Sequence, residues 1–234
     1  MMQAPIFAHT SPWVYVKAEL PVRLAQRVRD IRRLPFGLSE APSIQELREL
    51  YEQSFVRILT SPRVRSSEQE MQFNVLLVDV KEKHAKAQQN VAAGLYQVMM
   101  QNDRARDYDF SAFLDTFYMS RISLRMLIGH YNALHEPEEG MVGIIEKQCS
   151  PARIAEDAAR DAASLADYYY GMCPEVNVVG ATDLRLPYIP AHLYYVMFEL
   201  LKNSMRSSHR ALLHPAHHFL SFCAFRADIT HLCI

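Results

Sequence analysis

Four polar side chains near the end of the sequence have the types and the spacing of a site that binds phosphate and metal. Glu199, Lys202, Asn203 and Arg206 are three or four residues apart, so a helix would place them on one face. An amide oxygen suits Mg²⁺, a carboxylate one turn away can accept a proton from a hydroxyl, and the cations can meet phosphate charge. The alternative is a solvated face with a Glu199–Lys202 ion pair, and spacing alone does not decide.

The composition excludes several classes of protein. The 234 residues are 50% hydrophobic and 22% charged, which is ordinary for a folded chain. The 25 Lys and Arg residues balance 26 Asp and Glu, so no overall positive field attracts nucleic acid or an anionic membrane. The four cysteines form no C-x-x-C pair, and no segment has the ~18–20 consecutive apolar residues of a membrane span. We therefore expect a folded protein that binds neither nucleic acid nor membrane.

The first 140 residues have the pattern of four long helices. Apolar residues recur at three- and four-residue steps in the segments 17–33, 42–60, 67–100 and 110–135. Ser43 and Glu46 fit a Ser-x-x-Glu capping box at the start of the second segment. Four amphipathic helices joined by short loops predict a four-helix bundle over residues 12–140.

The pattern changes after the segment 136–143, where a proline, two glycines and three acids cannot continue a helix. Ser150-Pro151 predicts an N-cap followed by proline at the first position of a helix that reaches about residue 170. Residues 175–179 and 185–189 are predicted strands, and Pro190 opens a helix to about residue 211. The prediction is an α/β domain over residues 144–210, and hence a chain of the α+β class that is mainly α.

Several segments together resemble one protein family. Residues 199–206, Glu-Leu-Leu-Lys-Asn-Ser-Met-Arg, are similar to the N-box of the GHKL ATPase and kinase superfamily. The segments Glu19–Ala25, Asp115–Ile128, Ser150-Pro151 and Tyr188–Tyr194 resemble, in the same order, the mitochondrial pyruvate dehydrogenase kinases and branched-chain 2-oxoacid dehydrogenase kinases. The resemblance covers about residues 12–210. It implies a protein-serine kinase with an N-terminal four-helix bundle and a GHKL (Bergerat-type) α/β domain.

The resemblance assigns roles to the N-box residues. It implies that Glu199 is the general base facing the substrate serine, that Asn203 is the Mg²⁺ ligand on ATP, and that Lys202 and Arg206 lie near the nucleotide. The family often has a histidine one turn before this glutamate, whereas this chain has Tyr195. A phenol titrates near pH ~10 and does not replace the charge of an imidazole.

The resemblance also implies a regulatory pocket for a small 2-oxo acid between the bundle helices. The matching residues are Tyr51, Ser54, Lys81, His84, Arg121, Leu124, Arg125 and Ile128. Cations and a histidine suit a carboxylate because they offer charge-assisted hydrogen bonds. The family's Arg-x-Arg-His is Lys-Glu-Lys-His here, and lysine does not form the bidentate pair of arginine. Without the resemblance, His84 is better explained as a hydrogen-bonded core histidine.

The resemblance further implies partners and a location. Family members bind the E1 subunit and the lipoyl domain of E2 of a 2-oxoacid dehydrogenase complex, inhibit the pyruvate dehydrogenase complex by phosphorylating E1, and form homodimers when complete. The pocket segments favour pyruvate over a branched-chain substrate. The mitochondrial matrix is implied by the resemblance alone, because residues 1–16 contain no Lys or Arg and show no transit peptide.

Two hypotheses about function remain open, because part of the kinase pattern has no match. The family's Asp-x-Gly-x-Gly box and glycine-rich lid bring backbone close to the nucleotide, but no glycine follows Gly180. Residues 211–234 are interpreted as an unrelated tail. The first hypothesis is ATP-dependent phosphorylation of E1. The second is a catalytically incomplete fragment that binds only the lipoyl domain or a 2-oxo acid, and for these 234 residues alone we expect poor Mg·ATP binding and no E1 phosphorylation.

Overall fold

The computed structural model describes residues 11–171 and 173–213, with side chains up to residue 210. The chain divides into two compact units, Met1–Ile144 and Ile145–Ile234. Helices of the first unit are α1 (Pro12–Arg32), α2 (Pro42–Thr60), α3 (Ser67–Lys83), α4 (Ala87–Gln101), the short α5 (Asp103–Arg106) and α6 (Ser111–Leu134), and the strand β1 (Met141–Val142) follows. The second unit contains β2 (Ile145–Cys149), α7 (Pro151–Tyr170), β3 (Leu186–Tyr188) and α8 (Pro190–Leu213). The predicted α+β class with a mainly helical content is confirmed.

The long helices of the first unit share one apolar core. On α2, Ile44, Leu47, Tyr51 and Ile58 are fully buried at steps of three, four and seven residues, so one stripe of the helix faces inward. α2 packs against α1 and α4, and α6 packs against α1 and α3. This arrangement places the middle of α2 opposite the junction between α3 and α4.

The third predicted helix, residues 67–100, is not continuous, and that prediction is wrong. A 3₁₀ turn over His84–Lys86 separates α3 from α4. Arg121 of α6 donates from Nη1 to the carbonyl oxygen of His84 at 2.6 Å and from Nη2 to that of Ala85 at 3.3 Å. The guanidinium therefore satisfies backbone carbonyls at the break, which a continuous α-helix would satisfy within its own backbone.

The predicted capping box at Ser43 is also wrong, because α2 begins at Pro42, and its N-cap is Ala41, two residues before Ser43. Proline is suited to the first helical position, since its missing N–H has no helical partner there. Ser43 consequently lies inside the helix, and its buried hydroxyl has no partner among the described residues. The cap predicted at Ser150 is confirmed: its hydroxyl accepts from the backbone N–H of Arg153 at 3.4 Å.

The second unit pairs two short strands and two long helices. β2 and β3 are antiparallel, with Glu146 opposite Tyr188 and Cys149 opposite Leu186. The strand predicted at residues 175–179 is not formed, and those residues are largely exposed. α7 and α8 pack through Ala162, Ala166 and Met205, with Phe198 and Leu201 at the edge.

Residues 214–234, most of the predicted tail, lie outside the described residues. Among the residues that are described, no helix is both long enough and apolar enough to cross a membrane.

Candidate functional site

The centre of the first unit contains a cluster of polar side chains from α2, the 3₁₀ turn and α6. Tyr51, Ser54 and His84 are all buried. The ring centroids of Tyr51 and His84 are 4.5 Å apart, and Ser54 Oγ lies 2.9 Å from His84 Nε2. Ser54 also donates its only hydroxyl hydrogen to the carbonyl oxygen of Leu50, at 2.9 Å. The Ser54–His84 bond therefore requires a hydrogen on Nε2, which fixes the tautomer of the neutral ring.

Burial keeps both titratable rings of this cluster neutral near pH 7. It lowers the pKa of His84 to about 4, and the charge of Arg121 adds to that effect. Burial also raises the pKa of Tyr51 to about 12, against the opposing charges of Arg121 and Arg27. The cluster thus has a hydroxyl, a phenol and an uncharged imidazole around one guanidinium.

Arg121 is a buried cation, 8% exposed, without an acidic counter-ion. Its hydrogen bonds go to the carbonyl oxygens at the helix break, and no carboxylate among residues 11–171 and 173–210 pairs with it. Arg27, also 8% exposed, differs because its Nη2 is 2.7 Å from Asp30 Oδ2. An uncompensated buried charge is costly, so an anion that reaches Arg121 gains a charge-assisted partner.

The other predicted pocket residues surround this cluster less closely. Leu124 and Ile128 are buried on α6, Lys81 is half-buried on α3, and Arg125 is exposed on α6. Arg125 is nevertheless close enough to add to the effect of burial, which lowers the pKa of Arg121. Direct contacts join only Tyr51, Ser54, His84 and Arg121, so the other members of the set have no polar contact with them in the described residues.

Sequence reasoning missed Arg27, whose buried side chain donates to the carbonyl oxygen of Thr116 at 3.3 Å. Arg27 occupies the buried position between Leu24 and Ile31 on α1, whereas its apolar neighbour Val28 is only half-buried. Steps of four and three residues from Leu20 lead to Leu24 and Arg27, which was the available signal. Because arginine is charged, a search for apolar residues at helical spacing does not identify position 27 as part of the core.

α8 carries the four N-box residues along one side. Lys202 Nζ donates to Glu199 Oε1 at 2.5 Å, and both side chains are about one-third exposed, at 37% and 35%. The same ammonium group lies 5.5 Å from the ring centroid of Phe198. Asn203 and Arg206 are exposed, as is Tyr195 one turn before Glu199. The structure therefore joins Glu199 to Lys202 and leaves the amide of Asn203 open to solvent.

A small cavity of about 120 Å³ lies between α7 and α8. α8 contributes Lys202, Asn203 and Arg206, and α7 contributes Ala162, Leu165, Ala166, Tyr169 and Tyr170. Its volume is below the ~300–1,000 Å³ of typical ligand pockets, and a phosphate-sized group is the scale of ligand that suits it.

One side chain on α8 offers an oxygen atom that suits Mg²⁺. The Asn203 side chain makes no hydrogen bond within the described residues, so its amide oxygen is available as a hard ligand. A cluster of three or more His, Cys, Asp or Glu side chains that could hold a metal does not occur in the described part of the chain.

Comparisons with known proteins agree on one family. Residues 9–146 match the family described as mitochondrial branched-chain alpha-ketoacid dehydrogenase kinase. A mitochondrial pyruvate dehydrogenase (acetyl-transferring) kinase of Arabidopsis thaliana is 36% identical over 195 residues, which cover 82% of this chain and 53% of that protein. The human mitochondrial isozyme 3 of that kinase is 32% identical, with coverage of 84% and 52%.

The two kinases match more than four-fifths of this chain, and the chain spans about half the length of the curated relatives it matches. The family match alone covers more than half of the chain. The chain belongs to the mitochondrial branched-chain alpha-ketoacid dehydrogenase kinase family, the group that also includes its pyruvate dehydrogenase kinase relatives.

Proposed function

We propose that the protein acts as an ATP-dependent protein-serine kinase on the E1 component of the pyruvate dehydrogenase complex and inhibits that complex. The observation that carries the proposal is the position of Glu199 and Asn203, one turn apart on α8, in a member of this kinase family. The curated relatives are named as pyruvate dehydrogenase kinases, which favours this target over the branched-chain complex.

In the proposed reaction each α8 residue has a separate task. Glu199 accepts the hydroxyl proton of the substrate serine, and Asn203 holds Mg²⁺, which neutralises phosphate charge when bound. Because Lys202 occupies Oε1 of Glu199, the proton goes to Oε2 or Lys202 moves to a phosphate oxygen. Arg206, at the α7–α8 cavity, is placed to pair with phosphate.

The proposal extends to regulation through the bundle. The uncompensated guanidinium of Arg121 supports a small 2-oxo acid as the ligand of the cluster around His84. The proposed partners are the E1 subunit and the E2 lipoyl domain, with a homodimer as the complete form. The relatives are mitochondrial by name, and we propose the matrix as the compartment.

The proposal is tested by transfer of radiolabelled phosphate from Mg·ATP to purified E1. One sample is the 234-residue chain, for which we expect weak ATP binding and no label. The other joins residues 1–206 to the remaining half of the Arabidopsis kinase, which supplies the glycine-rich boxes. This longer protein should label E1, and Glu199→Gln should reduce the rate by about 10²–10⁴, the range for a general base.

Asn203→Ala should strongly reduce labelling at low Mg²⁺ concentration without unfolding α8, because alanine is the better helix former. Val196→Ala, a change at an exposed position of the same helix, is the matched control and should leave the rate unchanged. Undiminished labelling by Asn203→Ala would show that this residue has no part in the reaction. No labelling by the longer protein, if it is folded, would contradict the proposed activity.

A further inference from the structure

The polar cluster of the bundle controls where a proton can bind. His84 Nε2 carries a hydrogen that Ser54 accepts, so the neutral ring has its lone pair on Nδ1. Nδ1 has no hydrogen-bond partner among the described residues. A lone pair cannot donate to a carboxylate, so the ring offers an anion a second hydrogen-bond donor only after Nδ1 gains a proton.

The charged groups around His84 are predominantly positive. Arg121 of α6 donates to the carbonyl oxygen of His84 itself at 2.6 Å, and Arg125 lies one turn further along that helix. The α2 neighbour Tyr51 is a neutral phenol, and the charge of Arg27 on α1 acts on Tyr51. The nearest charged residues on the histidine's own segment are the half-buried Lys81 and the exposed Glu82, Lys83 and Lys86.

We propose that a small carboxylate enters this cluster together with one proton from solvent: the anion pairs with Arg121, and His84 becomes an imidazolium that donates from both ring nitrogens. This inference rests on the proposed regulatory pocket and specifies the chemical form in which that pocket takes its ligand. Each binding event consumes one anion and one proton, so the pocket gains no net charge.

The protonation state of His84 without ligand determines how the affinity for the carboxylate changes with pH. Without ligand, the pKa of His84 is about 4, so the ring is neutral at pH 6–8. A carboxylate ~4 Å away strengthens proton binding to the ring by about three orders of magnitude at an effective dielectric constant near 20. Binding therefore takes up protons, and affinity is lost as pH rises through the neutral range. The Kd should increase about tenfold between pH 6 and pH 8.

Calorimetry with pyruvate on the 234-residue chain measures this uptake directly. Pyruvate remains ionised throughout pH 6–8, and titrations in buffers of different ionisation enthalpy count the protons bound. We expect close to one proton at pH 6 and a value near zero at pH 8. His135→Gln is the matched control, because that histidine lies on the bundle but contacts Glu70 and the Tyr131 carbonyl instead. It should leave the uptake unchanged.

NMR of labelled histidine rings assigns the proton to its residue. The His84 signal, identified by its loss in His84→Gln, should titrate near pH 4 in the free chain and in the neutral range with saturating pyruvate. A Kd independent of pH, or a His84 signal that still titrates near pH 4 with pyruvate bound, would overturn the proton uptake alone. No pyruvate binding at pH 6 would overturn the pocket as well. Neither measurement uses ATP or E1, so failure of the kinase proposal is detected separately.

Discussion

The contact between α2 and α4 predicts that a glycine-to-alanine change has opposite effects on stability at Gly94 and at Gly129. A Cβ added at Gly94 of α4 would lie 2.5 Å from Ile44 Cγ1 and 2.9 Å from Ile44 Cδ1, well inside van der Waals contact. Ile44 is fully buried, so a shift of its side chain must disturb the packing of the core. A Cβ added at Gly129 of α6 meets nothing within 4 Å. Gly129→Ala is therefore a matched control, because it adds the same methyl group to a helix where no neighbouring atom is close.

Two effects determine how each substitution changes the free energy of unfolding. Alanine gains about 0.8–1.0 kcal/mol over glycine within a helix, and overpacking a dense core costs about 1–3 kcal/mol. Gly129→Ala should thus stabilise the first unit by about 1 kcal/mol, whereas Gly94→Ala should destabilise it by about 0–2 kcal/mol. Urea unfolding followed by circular dichroism, at an unchanged m-value, measures the difference. Equal stabilisation by both variants would refute the close approach of α2 and α4.

Two further predictions concern the same bundle. Residues 12–140, expressed alone, should give a helical far-UV spectrum and a cooperative melt because their apolar faces bury one another; a coil spectrum would contradict the architecture. Tyr131→Phe should raise the unfolding free energy by about 1 kcal/mol, because the fully buried hydroxyl has no partner among the described residues. Tyr194→Phe, which removes a hydroxyl bonded to Asp161 at 2.5 Å, should give no such gain.

Local sequence rules predicted those elements whose determinants are local. Periodic apolar residues indicated α2 and α6, and the Ser150-Pro151 pair indicated the start of α7, because capping and the missing proline N–H act within one turn. Pro190 likewise indicated the start of α8, which places Glu199 and Asn203 on the same helix. The relation among the N-box residues could therefore be predicted.

Features that depend on distant residues were not predictable in the same way. The break at His84 is stabilised by Arg121, 37 residues later, so periodicity within 67–100 carries no sign of it. The strand partner of β3 is β2 and not residues 175–179, because pairing decides which short apolar segment becomes a strand. On α8 the packed stripe includes Phe198 and Leu201, whereas the equally apolar Leu200 between them is 41% exposed.

The central claim is that Asn203 binds Mg²⁺ and Glu199 accepts the serine proton. It is tested most directly by the Mg²⁺ dependence of E1 labelling, measured with the longer protein that joins residues 1–206 to the Arabidopsis half. If Asn203 holds the metal, Asn203→Ala should raise the half-saturating Mg²⁺ concentration by about tenfold or more. If Glu199 takes the serine proton, Glu199→Gln should lower the rate at saturating Mg²⁺ and leave that concentration unchanged. The same loss of rate in both variants, with no change in Mg²⁺ requirement, would contradict the assignment of metal ligand and base to these two residues.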